Sequence, residues 1–169
     1  MSITTSDRAV LRELGKLVAG IAALPIQQEK IRLWKKLNGL KPERPMVMID
    51  QVCWHEMNVN DELTLRTHDP LCQRWETDLR RTLYCWKHMP ADMVVEPIIG
   101  VQKVITGAGF GIGVEEDRAV SDPNNDVVGH MYHDQLQTEE DLEKIRMPDC
   151  RLDVAETARR EVMAHDIFD

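Results

Sequence analysis

The 169-residue sequence lacks any long apolar run. Its longest apolar stretch, 17–24, falls far short of the ~20 residues that cross a bilayer. The N-terminal residues 1–7 contain no apolar segment of the kind found in secretion signals. These absences predict a cytoplasmic protein that does not bind membranes.

Clustered positive charge and closely paired cysteines are also missing. The net charge is −8, and the basic residues of 74–87 are interspersed with acidic ones, so nucleic acid is not an expected partner. The cysteines form no C-x-x-C pair, which favours reduced thiols over a disulfide framework. They are Cys53, Cys72, Cys85 and Cys150.

Neither a nucleotide loop nor a complete metal site is visible. The alternating glycines of 107–113 lack the spacing of a dinucleotide fingerprint, and no Gly-Lys-Ser/Thr follows them, so a hairpin or a lid is predicted instead. Three Cys/His pairs could each supply two metal ligands, whereas a structural zinc needs four. Metal storage or sensing stays an alternative function, and no metal ligand is assigned. The pairs are Cys53–His55, Cys85–His88 and His130–His133.

Apolar periodicity predicts four main helices. The first covers 7–24 and begins at Ser6 or Asp7, and the second begins at Pro25. The other two are predicted from the start signals Asp69-Pro70 and Asp153, with a short helix-start box at Thr138-Glu139-Glu140-Asp141 between them.

Two short apolar runs, 46–50 and 92–96, each end at a carboxylate. Because they lack polar alternation and flank a helix, they predict two buried parallel strands joined by a crossover. Paired strands would place Asp50 and Glu96 ~4.8 Å apart, where one carboxyl group can act as an acid and the other as a base.

A chemically rich tripeptide follows the first of these runs. Trp54, His55 and Glu56 offer a stacking surface, a group that titrates near neutrality and a carboxylate. The carboxyl ends of parallel strands carry the active sites of open sheets and barrels. The alternative is that the strand-end carboxylates form structural ion pairs with an arginine such as Arg44 or Arg80.

Three segments, 33–45, 91–97 and 138–145, together with the run 46–50, resemble the N-terminal half of uroporphyrinogen decarboxylase-like proteins. That superfamily includes corrinoid- and coenzyme M-linked methyltransferases, and the resemblance covers about 26–169. It implies an α/β fold: an N-terminal helical extension followed by the first part of a (β/α)8 barrel. Such a barrel needs ~250 residues. An incomplete barrel, cut from a longer protein, is therefore expected, and the last helix shows no stop signal.

In this interpretation 1–44 is the helical extension, and 45–169 holds the first barrel units with a glycine-rich hairpin insertion at about 98–130. The resemblance implies a zinc held by His and Cys residues of the C-terminal half, and no His-x-Cys occurs in this sequence. The decarboxylases hold substrate carboxylates with an arginine-rich segment, and the corresponding 53–58 contains no arginine.

A methyltransferase that acts on a small methylated molecule through a corrinoid protein therefore fits better than a tetrapyrrole decarboxylase, which remains an alternative. Glu96, His55 and Glu56 are the expected catalytic residues, and Trp54 and Asp50 the expected substrate-binding residues. We expect no activity from this chain alone. A further alternative is a non-catalytic α/β module that binds a partner, including a second copy, through an open sheet edge.

Overall fold

The computed structural model describes residues 3–121 and 128–169. In this part of the chain the protein is mixed α/β, with five α-helices and two small antiparallel sheets and without a closed barrel. The chain divides into two compact units. The first holds the described residues up to Gly100 together with Val162–Asp169, and the second lies within Val101–Glu161.

The first unit is helical. It contains α1 (Thr5–Ala22), α2 (Pro25–Asn38), the single turn α3 (Trp54–Met57) and α4 (Pro70–His88). Helix α1 packs against α4, so that the apolar stripe of each is removed from water. The buried apolar side chains of this unit are Leu11, Leu14, Val18, Leu33, Cys72, Trp75, Leu79, Val95, Met163, Ala164 and Ile167.

Local capping explains where the helices begin. Asp69 starts α4 as predicted, since its carboxylate accepts hydrogen bonds from the N–H groups of Leu71 and Cys72 at 2.9 and 3.2 Å. The predicted start of α1 is wrong. Thr4 caps that helix by accepting from the N–H of Asp7 at 3.0 Å, and Asp7 itself is buried.

The second unit contains the strands. β1 (Ile105–Thr106) pairs with β4 (Arg151–Leu152), and β2 (Glu116–Ala119) pairs with β3 (Gly129–Tyr132), both antiparallel. Residues 122–127, within the predicted hairpin insertion at about 98–130, lie outside the described residues.

The helix-start signals of the later chain are confirmed. The Asp153 carboxylate accepts from the N–H of Glu156 at 2.9 Å, where α5 (Val154–Phe168) begins. The Asp141 carboxylate accepts from the N–H of Thr138 at 2.9 Å and starts a 3₁₀ helix, Glu140–Lys144.

The predicted parallel strands at 46–50 and 92–96 are not formed. Both segments are irregular, and one backbone hydrogen bond joins them, from the N–H of Asp92 to the carbonyl of Val47 at 2.9 Å. Val47 and Met48 are 54% and 67% exposed, so the first run is not buried as expected. Since a strand is stable only when neighbouring strands pair with it, the predicted crossover and first barrel units are absent from the described residues.

Candidate functional site

The candidate site is built around α3, which follows the exposed run 46–50. Its Trp54 ring packs edge-on against Tyr84 of α4, with centroids 6.0 Å apart and an interplanar angle of 78°. The guanidinium of Arg81, also on α4, lies 4.9 Å from the centroid of the same indole. The indole therefore packs against both an aromatic ring and a cation, which restrict its position.

His55 and Glu56 occupy the same turn but differ in exposure. The His55 side chain is 15% exposed and that of Glu56 is 66% exposed, and His55 Nε2 lies 3.4 Å from Glu56 Oε1. A protonated His55 would form an ion pair with Glu56, whereas the neutral ring leaves the carboxylate to water. An imidazole and a carboxylate therefore lie side by side on the turn that carries Trp54.

The cluster of Trp54, His55 and Glu56 is extended by side chains of α4. The sequence did not identify these side chains as part of this site. Tyr84 packs against the His88 ring, with centroids 4.5 Å apart, and His88 Nε2 lies 3.0 Å from Glu62 Oε2. Lys87 Nζ donates to Glu62 Oε1 at 2.9 Å. Both contacts hold the pKa of Glu62 below its usual value, and Lys87 makes the larger contribution. The signal in the sequence was the spacing of Arg81, Tyr84 and His88 at i, i+3 and i+7, which places them on one helix face.

Asp50 and Glu96 do not join this cluster. Asp50 is exposed and makes no hydrogen bond or ion pair with the residues that the structure describes. Glu96 lines a cavity of about 190 Å³ with Asp78 and Thr82 of α4, and no α3 residue lines it. The acid–base pair of Asp50 and Glu96 was predicted from hydrogen bonding between two parallel strands. Those strands are not formed, so the basis of that prediction is absent.

The arginines expected to neutralise the strand-end carboxylates bind other partners. Arg44 forms a two-pronged pair with Asp92, at 2.9 Å from Nη1 and 2.5 Å from Nη2. That guanidinium, together with the N–H of Val47, holds the pKa of Asp92 well below its usual value. Arg80 Nε donates to the buried Glu76 at 2.7 Å. Both pairs are structural: Arg44–Asp92 joins two irregular segments, and Arg80–Glu76 lies within α4, where Glu76 also binds the N–H groups of Arg66 and Thr67.

The Cys/His pairs weighed as possible metal ligands do not converge on a site among the described residues. His130 Nδ1 lies 2.9 Å from Glu116 and His133 Nε2 lies 3.0 Å from Asp117, both across the β2–β3 hairpin. Burial raises the pKa of the Cys85 thiol and disfavours the thiolate that zinc binds. Within 3–121 and 128–169, no three His, Cys, Asp or Glu side chains converge as a metal-ligand set.

Among the described residues, no helix is both long and apolar enough to cross a membrane. Comparisons of the chain with protein-family models, with curated proteins and with solved structures found no match.

Proposed function

We propose that this chain contributes the substrate-recognition surface of a uroporphyrinogen decarboxylase-like methyltransferase, working in the cytoplasm on a small methylated molecule. The observation that carries the proposal is the Trp54–His55–Glu56 turn, packed on Tyr84 and Arg81 directly after the run 46–50. The resemblance of 33–45, 91–97 and 138–145 to that superfamily supplies the reaction class.

The described side chains have distinct roles in this proposal. The Trp54 and Tyr84 rings contact the methyl-bearing group. His55 holds or donates a proton at the substrate heteroatom that loses the methyl group, and Glu56 lies 3.4 Å from that imidazole. Asp50 and Glu96 lie outside the α3 cluster. In the proposal they act only in the parent enzyme, Asp50 in substrate binding and Glu96 in catalysis.

The zinc implied by the resemblance does not fit the described residues, since they offer no converging ligand set. No step of the proposal therefore passes through a metal held by this chain. A separate corrinoid protein is the partner that would carry the methyl group. The testable part of the proposal is substrate recognition at α3.

Ligand-observed NMR with a panel of methylated amines, thioethers and methanol tests recognition. We expect one chemical class to bind, and Trp54→Leu to weaken that binding at least about tenfold, the effect of losing one well-packed aromatic contact. His165→Gln, a change at an exposed histidine of α5, is the matched control for His55→Gln. Failure of the whole panel to bind, or equal binding by Trp54→Leu, contradicts the proposal.

The role of Glu96 is tested by turnover in the parent enzyme with a corrinoid protein supplied. Glu96→Gln is expected to abolish methyl transfer, because the amide cannot exchange a proton at the reacting centre. Glu115→Gln, an exposed carboxylate of the second unit, is expected to leave turnover unchanged. Full turnover by Glu96→Gln would remove Glu96 from the catalytic residues.

A second candidate function is association with another copy of the chain through the run 46–50. Val47, Met48 and Ile49 are 54%, 67% and 44% exposed, and the backbone groups of Met48 and Ile49 have no backbone partner among the described residues. The side chains of 46–49 are uncharged, so two copies can pair there without electrostatic repulsion. Such a segment is a ready template for strand pairing.

Size-exclusion chromatography with light scattering tests this association. The chain is expected to dimerise, and Met48→Lys to shift it to monomer, because a lysine on an exposed edge opposes pairing. Val59→Lys is the control, since Val59 is exposed but lies outside the run. A chain that is monomeric at all concentrations contradicts this function.

A further inference from the structure

A cavity of about 440 Å³ lies in the first unit, between α1, the segment 97–99 and the end of α5. Its walls are mostly apolar, with Leu79, Ile98, Ile99 and Phe168 among them. This volume is within the range of small-molecule sites, which are apolar pockets with a few placed polar groups. None of the α3 cluster lines it, so it is separate from the site proposed above.

The aromatic wall of the cavity is held in a fixed position. Phe168 packs edge-on against Trp75, with centroids 5.8 Å apart and an interplanar angle of 83°. Gly15 faces the same ring, and a Cβ placed there would come within 3.2 Å of it. Glycine at this position therefore allows the ring to lie close to the α1 backbone. The wall exists before any ligand binds, which reduces the entropy lost on binding.

Two cations on α1 line the cavity beside these apolar walls. Arg12 donates from Nε to the carbonyl of Ile167 and from Nη2 to that of Asp166, both at 2.8 Å. Its Nη1 and the Lys16 ammonium have no partner in the part of the chain that the structure describes. Since like charges four residues apart on a helix repel each other, an anion bound between them would be stabilised.

Neither Arg12 nor Lys16 forms an ion pair with a carboxylate in the part of the chain that the structure describes. Asp169 also lines the cavity, but its Oδ2 lies 2.7 Å from His165 Nδ1. Asp166 is paired with Arg8. Glu13, three residues before Lys16, neither lines the cavity nor forms an ion pair with Lys16 among the described residues.

We propose that this cavity binds a small amphiphilic carboxylate, of the class of medium-chain fatty acids. The carboxylate accepts hydrogen bonds from Arg12 Nη1 and Lys16 Nζ, and the hydrocarbon chain lies against Leu79, Ile98 and Phe168. The fixed guanidinium gives direction to the contact, and the flexible lysine adapts to the position of the head group. The apolar walls favour a hydrocarbon body over a fully hydrated anion such as phosphate.

NMR titration of the 169-residue chain with octanoate tests the charge requirement. Lys16→Gln is expected to bind octanoate about fivefold more weakly, the effect of losing one partly exposed ion pair. Lys35→Gln removes the same charge from an exposed position on α2 that does not line the cavity, and should leave binding unchanged. Octanol, with the same chain and no charge, is expected to bind more weakly than octanoate.

A second variant tests the location without disturbing the core. Ile98 is 69% exposed, so Ile98→Asp leaves folding intact and places a carboxylate on the cavity wall, which should abolish octanoate binding. Val59→Asp makes the same kind of change outside the cavity and should bind normally. Absence of octanoate binding by the wild-type chain overturns the proposal, as does equal affinity in Lys16→Gln or in Ile98→Asp, or equal affinity for octanol.

Discussion

At the scale of single residues, Glu76 is the most deeply buried carboxylate of the described chain, with no exposed surface. It accepts hydrogen bonds from the N–H groups of Arg66 and Thr67 at 2.9 and 2.8 Å, and from Arg80 at 2.7 Å. Burial alone would raise the pKa of Glu76, but these donors outweigh it and the pKa lies below its usual value. One side chain thus anchors the segment before α4.

Replacing Glu76 with glutamine is expected to lower the free energy of unfolding by about 3 kcal/mol, because it leaves the charge of the buried Arg80 without its partner. Urea unfolding followed by circular dichroism measures the change. Glu29→Gln, which removes an exposed partner of Arg32, serves as the control and should have little effect. A loss for Glu76→Gln no larger than that of the control would contradict this role.

Asp92 should make the free energy of unfolding depend on pH in the acidic range. Its pKa in the folded chain lies below the ordinary value of 3.8, mainly because of Arg44, so the folded state binds the proton less tightly than the unfolded state. Its contribution is therefore complete above pH 3.8 and is lost as the pH falls further.

We expect the urea midpoint to decrease as the pH falls below 3.8, and to decrease less in Asp92→Asn. Asp50→Asn changes an exposed carboxylate without a partner among the described residues, and should retain the wild-type dependence. Parallel curves for the wild type and Asp92→Asn would show that the Arg44 pair does not contribute.

At the scale of elements, the end of β1 depends on a glycine. Gly107 has φ +71°, a left-handed conformation, and a Cβ there would lie 2.1 Å from the Asp149 carbonyl oxygen, just before β4. Gly109 has open space around its Cα. Alanine in place of Gly107 should therefore disturb the β1–β4 pair, whereas alanine in place of Gly109 should not.

Gly107→Ala is expected to destabilise this pair by at least about 1 kcal/mol, the cost of a left-handed conformation for an L-residue, before the clash is added. Faster amide exchange in β1 and β4 would report it, with Gly109→Ala as the matched control. Unchanged exchange in Gly107→Ala would mean that the turn adapts to the new side chain.

The elements that the sequence predicted correctly are those whose signals are local. The start of α4 follows from Asp69 and the proline after it, because the capping carboxylate and its donors are within three residues. The runs 46–50 and 92–96 were misread, because an apolar run shows that a segment can be buried but does not supply neighbouring strands. The ion pair of Arg44 with Asp92, which lies beside them, spans 48 positions and has no local signal.

In the candidate site, too, local proximity was predictable from the sequence and long-range contacts were not. Trp54, His55 and Glu56 are adjacent in sequence, so their proximity was predictable. The contact of Glu62 with His88 joins positions 26 apart, and it depends on how the chain before α4 folds back along that helix. Helix periodicity could have placed Tyr84 and His88 on one face, but not against α3.

At the scale of the whole molecule, the two units differ in how much core they possess. Every buried apolar side chain among the described residues belongs to the first unit. In the described part of the second unit, Thr157 is the single buried side chain, and its hydroxyl accepts from the N–H of Val104 at 3.0 Å. Segments with few buried apolar contacts open locally at low free energy.

Hydrogen exchange with mass spectrometry should therefore show slow exchange in α1 and α4 and fast exchange in β2 and β3. The difference in exchange rate should be large, since the free energy of local opening ranges from about zero up to the global free energy of unfolding. Equal protection of the β2–β3 hairpin and of α4 would contradict this division of stability.

The contact between Trp75 and Phe168 also gives the first unit an optical reporter. Trp75 is 3% exposed and its indole N–H is bonded to the carbonyl of Gly100 at 3.1 Å, so it is shielded from the polar solvent that shifts tryptophan emission to longer wavelengths. In a variant that retains Trp75 as its one tryptophan, the emission maximum would follow the docking of the last turn of α5. Stopped-flow fluorescence could then time that docking separately from the collapse of the rest of the chain.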